Sequence, residues 1–190
     1  MIDKAIIFII VILICVVALI SLINTEKYEV TYVQSLVDGN EYLVRDLEDK
    51  QYAADLLANL RKNIMKLTQI LYQNKDTEQY KDYKKYVEQL QERIRNVIIN
   101  ESSEDNAYTS YSINKGEQIV FCLRSKHNGK LHDLNLLTYV AIHEMSHVGN
   151  PEFGHGDLFK KIFAFFTKAA IENGIYKKID FLKCRLNIVV

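Results

Sequence analysis

Residues 134–148 read Leu-Asn-Leu-Leu-Thr-Tyr-Val-Ala-Ile-His-Glu-Met-Ser-His-Val, a stretch that is apolar on nearly every side of a helix. A helix of that kind belongs in a core and not on a surface. Yet its last turns carry His143, Glu144 and His147. Ionisable groups are costly in an apolar interior unless they are paired or bound to something. The fold must therefore bring partners to these three side chains. Asp133 is placed to cap the helix start. Gly149-Asn150-Pro151 end it, with Gly149 or Asn150 available for a left-handed C′ position and Pro151 unable to continue the helix.

His143-Glu144-Met145-Ser146-His147 is an HExxH pattern. Histidines four residues apart project from one helix face, one turn apart. That separation suits two imidazoles closing on one Zn²⁺. Glu144 lies between them, where it can take a proton from a water that the metal activates. A catalytic zinc takes three protein ligands and keeps one position open. His155 is the candidate third ligand. Gly154 and Gly156 flank it, so the backbone can turn back toward the first helix. A second helix follows at once, with Leu158, Phe159, Ile162, Phe163, Phe166, Ala169 and Ala170 at helical spacing and Gly174 as its stop. The competing reading leaves His155 as a turn residue. Glu152 and Asp157 are weaker ligand candidates, and Asp157 also suits a helix cap or a group that orients a ligand.

Upstream, residues 108–113 and 118–123 read as two short strands around the turn Asn114-Lys115-Gly116-Glu117. Such a hairpin serves either as a cleft-edge strand that pairs with an extended substrate or as a β-layer covering the helix. The motif, the His155-Gly156-Asp157-Leu158-Phe159 stretch and the preceding strands together resemble the SprT/WLM-like zinc metallopeptidases, a style shared with metallopeptidases of large DNA viruses. The resemblance covers residues 108–173. It implies a zincin fold, Zn²⁺ on His143, His147 and His155, and Glu144 as general base. The metzincin pattern is absent: it requires Gly and His where Asn150 and Phe153 stand. The zinc-ribbon cysteines of the DNA-repair members are absent too. Oxyanion-stabilising candidates are Tyr108, Tyr111, Tyr139, His127 and His132, the two histidines reading equally as exposed loop residues.

Residues 5–23 are apolar throughout except Ser21 and contain no Gly or Pro. At 1.5 Å per residue the run nearly spans a ~30 Å hydrocarbon core. It is long for a signal peptide and lacks a small-residue cleavage site, so it reads as an uncleaved transmembrane anchor. Next, Leu57, Leu60, Ile64, Leu67 and Leu71, and then Tyr80, Tyr83, Val87, Leu90, Ile94 and Val97, recur at three and four residues. A break at Asn74-Lys75-Asp76-Thr77 makes this a helical hairpin, its first helix starting near Val33 unless Gly39 and Asn40 interrupt it. The hairpin can act as a stalk, a self-association surface or a lid, or its stripe can pack on the catalytic part. Residues 101–106 read as a polar linker, and Asn100-Glu101-Ser102 has the form of a glycosylation sequon.

The formal net charge is zero, which leaves no electrostatic footprint for nucleic acid. Cys15, Cys122 and Cys184 form neither a disulfide framework nor a cysteine zinc site, although Cys122 and Cys184 could pair. The sequence thus predicts an α+β protein in three parts: a transmembrane anchor at 1–30, a helical hairpin at 31–100 and a small zincin-like core at 101–190. The expected activity is hydrolysis of a protein or peptide substrate by a membrane-anchored, single-pass zinc peptidase. The alternative is an inactive structural or interaction membrane protein, for example of a virion, that keeps a zinc site.

Overall fold

The computed structural model describes residues 13–14, 29–103 and 110–180. Two strands, β1 (Val30–Gln34) and β2 (Glu41–Arg45), form an antiparallel hairpin. Its turn is built by Asp38, whose carboxylate accepts from the Asn40 backbone N–H at 3.0 Å and from the Tyr42 hydroxyl at 2.7 Å. Gly39 between them has φ +74°, a conformation open chiefly to glycine. This hairpin replaces the early part of the expected first helix. Alternation of Val30, Tyr32 and Gln34 against Thr31 and Val33 has a period of two and not 3.6.

Helix α1 (Lys50–Asn74) then runs 25 residues and buries Leu57, Leu60, Ile64, Leu67 and Leu71. A turn leads through a short 3-10 segment (Lys81–Tyr83) into α2 (Lys84–Ile94), which buries Val87, Leu90 and Ile94. The helical hairpin is therefore present, but its apolar stripes are spent inside the chain. They join one core with Ile119, Phe121, Ile142, Met145 and Phe166. Of the stripe residues, all are buried except the half-buried Tyr83.

A three-stranded sheet follows, in the order β3 (Ile98–Glu101), β5 (Gln118–Phe121), β4 (Ser110–Ile113). β3 pairs with β5 in parallel and β4 with β5 antiparallel. The expected linker thus begins as a strand. Glu101 is buried because Arg124 Nε donates to it at 2.8 Å and the Arg45 N–H donates to it at 2.8 Å. Asn100 and Ser102 of the sequon are buried as well.

Two helices complete the fold, α3 (Leu134–Gly149) and α4 (Asp157–Glu172). Asp133 caps α3 as expected, its carboxylate accepting from the Leu136 N–H at 2.8 Å. α3 sits centrally and packs on α1, α2, α4 and β4. Its C-terminal end differs from the expectation: Asn150 is extended, and neither it nor Gly149 takes a left-handed conformation. Gly174 does, just past α4.

The transmembrane anchor and the single-pass membrane location require correction. Among the described residues no helix is long and apolar enough to cross a membrane. Of the apolar run at 5–23, all but Leu13 and Ile14 lies outside the described residues, as do Tyr108, Cys15, Cys184 and the tail beyond 180.

Candidate metal centre

α3 places His143 and His147 on one face, one turn apart, and the loop from Asn150 to Gly156 swings His155 back across them. Gly154 supplies the bend with φ +77°. The three Nε2 atoms form a nearly equilateral triangle: 3.2 Å between His143 and His147, 3.1 Å between His147 and His155, and 3.0 Å between His155 and His143. Hydrogen bonding alone cannot satisfy that triangle. A neutral Nε2 is either a donor or an acceptor, so among three in mutual contact at least one pair must match donor with donor or acceptor with acceptor. A cation facing three lone pairs removes the conflict. Four-coordinate zinc with Zn–N bonds of about 2.0–2.1 Å sets its nitrogens about 3.3 Å apart, close to the spacing here. The donor set fits zinc. Among the described residues no cysteine, carboxylate or fourth histidine joins the cluster.

The protonation states agree. Burial, with the neighbouring His155, holds His143 below the ordinary imidazole range. Burial pushes His147 down to about 4, helped by His143, His155 and Lys115. Neutral imidazole is the form that binds a metal. Glu144 is 4% exposed, and burial raises its carboxyl to about 7. A carboxyl with that value can both accept and return a proton near neutral pH.

These residues open on a cavity of about 700 Å³ whose walls include Ser110, Tyr111 and Ser112 of β4, with Tyr139, Glu152 and Phe153. β4 is one of the two outer strands of its sheet, and its side chains reach the cavity that Glu144 and the histidines line. Of the oxyanion candidates, Tyr111 and Tyr139 line this cavity. His132 is half-buried and His127 exposed, and both lie outside its walls. Asp157 stands in the first turn of α4 with its side chain in solvent, so it neither joins the cluster nor caps with its side chain. Cys122 is a free, half-buried thiol whose Sγ donates to the Arg124 carbonyl at 3.3 Å.

Two contributors escaped the sequence reading. Phe159, read there as core and as part of the stretch that carries the resemblance but given no role at the metal, meets all three imidazoles, with centroids at 4.9 Å from His143, 4.3 Å from His147 and 4.8 Å from His155. Its position one turn after His155 on an amphipathic helix was the available signal. Lys115, read only as a turn residue, reaches the loop that carries His155. No sequence signal marked that contact.

No protein-family model matches the chain, and no solved structure matches it. Over 170 residues it is 42% identical to "Uncharacterized protein R325" of Acanthamoeba polyphaga mimivirus, covering 89% of this chain and 85% of that protein. A shorter stretch of 69 residues is 38% identical to "Uncharacterized protein 136R" of Invertebrate iridescent virus 6, covering 35% of this chain and 38% of that protein. Another of 67 residues is 36% identical to "Uncharacterized protein 042R" of Invertebrate iridescent virus 3, covering 35% and 42%. All three relatives are viral proteins, which agrees with the expectation of a viral protein and leaves the likeness to zinc metallopeptidases to the residues themselves.

Proposed function

This chain belongs to the family of the mimivirus protein R325, and we propose that it is a zinc-dependent peptidase in which His143, His147 and His155 hold the metal and Glu144 is the general base. One observation carries the reading: three Nε2 atoms converge within 3.0–3.2 Å beside a buried carboxyl, at the wall of a cavity of about 700 Å³. The lack of a fourth protein ligand among the described residues favours a catalytic over a closed structural site.

When bound, zinc supplies a Lewis acid that brings the pKa of a water toward ~7 and polarises a peptide carbonyl. The chain's own residues do the rest. Glu144 takes a proton from the attacking water and hands it to the departing amine. β4 offers the outer strand against which an extended peptide can pair. Tyr111 or Tyr139 is the hydroxyl that meets the developing oxyanion. The kinship to SprT/WLM-like peptidases is part of this proposal. It rests on the motif, the position of His155 and the helix order, not on the matched relatives.

The test is peptide hydrolysis by the purified, zinc-loaded full chain, with Glu144→Gln as its partner. Turnover of a mixed peptide pool by the wild type, chelator-sensitive and lost in Glu144→Gln while zinc content stays, is the expected result. Equal turnover in the two proteins refutes Glu144 as the base.

A further inference from the structure

We infer that Lys115, at the tip of the β4–β5 hairpin, is the positioning residue that holds the His155 loop in its metal-binding form. The inference rests on the zinc reading above and adds to it what keeps the third ligand in place.

The loop needs an anchor. Residues 151–157 are exposed. Inside the loop, the Asn150 side chain accepts from the Glu152 N–H at 3.1 Å, which shapes only its first turn. Apart from the ring contacts of His155 with His143, His147 and Phe159, the loop is held by one ammonium group. Lys115 Nζ donates to the Pro151 carbonyl at 2.6 Å and to the Asn150 carbonyl at 3.3 Å. The same group lies 4.1 Å from the centroid of the Phe153 ring, over its face. Phe153 is otherwise 89% exposed, on the cavity rim.

The hairpin tip is itself fixed. Asn114 and Lys115 take φ +49° and +52°, uncommon for residues with a side chain, and Gly116 takes +111°. Left-handed non-glycine residues are uncommon and persist where their surroundings hold them. A Cβ on Gly116 would stand 2.8 Å from Val148 Cγ1, so the turn presses on the last turn of the histidine helix. The Val148 carbonyl there accepts from Gln89 Nε2 at 2.8 Å and Arg93 Nη1 at 3.2 Å. Lys115 therefore spans from a rigid helix end to a loop that lacks its own support.

Charge alone argues the other way. An ammonium near a divalent cation repels it, so an electrostatic role for Lys115 would make its removal tighten zinc binding. A tether makes removal weaken it. The two roles differ in sign.

The experiment is zinc affinity of the full chain by competition with a fluorescent chelator. The variants are Lys115→Met, Lys115→Arg, His155→Ala and the Lys115→Met/His155→Ala double mutant. Lys115→Met is expected to weaken binding about 10- to 100-fold, the range for groups that orient metal ligands. Lys115→Arg, which keeps the charge and donors, is expected to stay within a few-fold of wild type. In the His155→Ala background Lys115→Met is expected to cost nothing further, because its effect runs through His155. Undiminished or tighter binding by Lys115→Met overturns the inference, as does an equal loss with and without His155. If such results come with tight zinc binding by the wild type, only the tether fails. Absence of zinc binding by the wild type sinks both readings.

Discussion

Phe159 lies nearly flat against His147, with ring centroids 4.3 Å apart and planes 28° from parallel. It meets His155 edge-on at 87°. Among the described residues no carboxylate or carbonyl accepts a hydrogen bond from these imidazoles, so packing against an apolar ring does the orienting that second partners usually do. Phe159 is 3% exposed. Phe159→Ala is expected to cost about 3–5 kcal/mol of stability. Phe159→Leu is expected to cost about 1 kcal/mol yet weaken zinc binding at least tenfold, because a branched aliphatic chain cannot support three rings at once. Urea denaturation in chelator and zinc titration separate the two effects. Unchanged zinc affinity in Phe159→Leu contradicts the orienting role.

Glu144 gives the metal-free chain a pH signature. Folding raises its carboxyl from about 4.5 to about 7, so between those values the folded chain keeps a proton that the unfolded chain has lost. The stability this group contributes is present below pH 4.5 and is lost as pH rises to 7, by about 3 kcal/mol. His147 acts oppositely. Its value falls to about 4, so stability rises as pH climbs from 4 to 6.5, and the two groups offset. Glu144→Gln removes the first and leaves the second. In chelator it is expected to exceed wild type by about 3 kcal/mol at pH 8 and to match it near pH 4. Parallel denaturation curves at several pH values check this. A wild type as stable as the variant at pH 8 contradicts it.

Arg124 makes a two-sided pair with Asp49 at 2.8 Å and binds Glu101 at 2.8 Å. The Glu101 side chain is 1% exposed. Removing the cation strands that carboxylate in the core, so Arg124→Met is expected to cost about 3–5 kcal/mol. Replacing both groups with apolar ones, Arg124→Met with Glu101→Leu, is expected to recover most of the loss. Thermal unfolding of the single and double variants decides it, and a double variant less stable than the single contradicts the account.

Gly116→Ala is expected to lose about 2–4 kcal/mol, from its backbone conformation and from contact with Val148. Gly39→Ala has the same backbone problem but meets no atom within 4 Å and is expected to lose only about 1–2 kcal/mol. Equal losses would show that the Val148 contact is soft.

What the chain disclosed in advance divides along the reach of its signals. The 134–148 helix, its Asp133 cap, the Asn114–Glu117 turn and the return of His155 all depend on residues within about one loop of each other, and periodicity or turn chemistry marks them. Glu101 looked like the start of a linker because nothing near it in sequence announces Arg124, 23 residues on. The stretch from Val33 looked like the start of a long helix, unless Gly39 and Asn40 interrupt it, because a strong stripe begins at Leu57. The turn residues Asp38, Gly39 and Asn40 carried the correct signal for a hairpin. Lys115 gave no sign of its role, since its partners are backbone carbonyls of a loop 35 residues away, and carbonyls have no sequence.

The most direct measurement is the zinc content of the purified full chain after dialysis against a weak chelator, with the same reading on His143→Ala, His147→Ala, His155→Ala and Glu144→Gln. One zinc per chain in the wild type and in Glu144→Gln, with a loss in each histidine variant, is the expected outcome. A wild type without zinc, or a His155→Ala chain that keeps it as tightly as wild type, would contradict the three-imidazole centre.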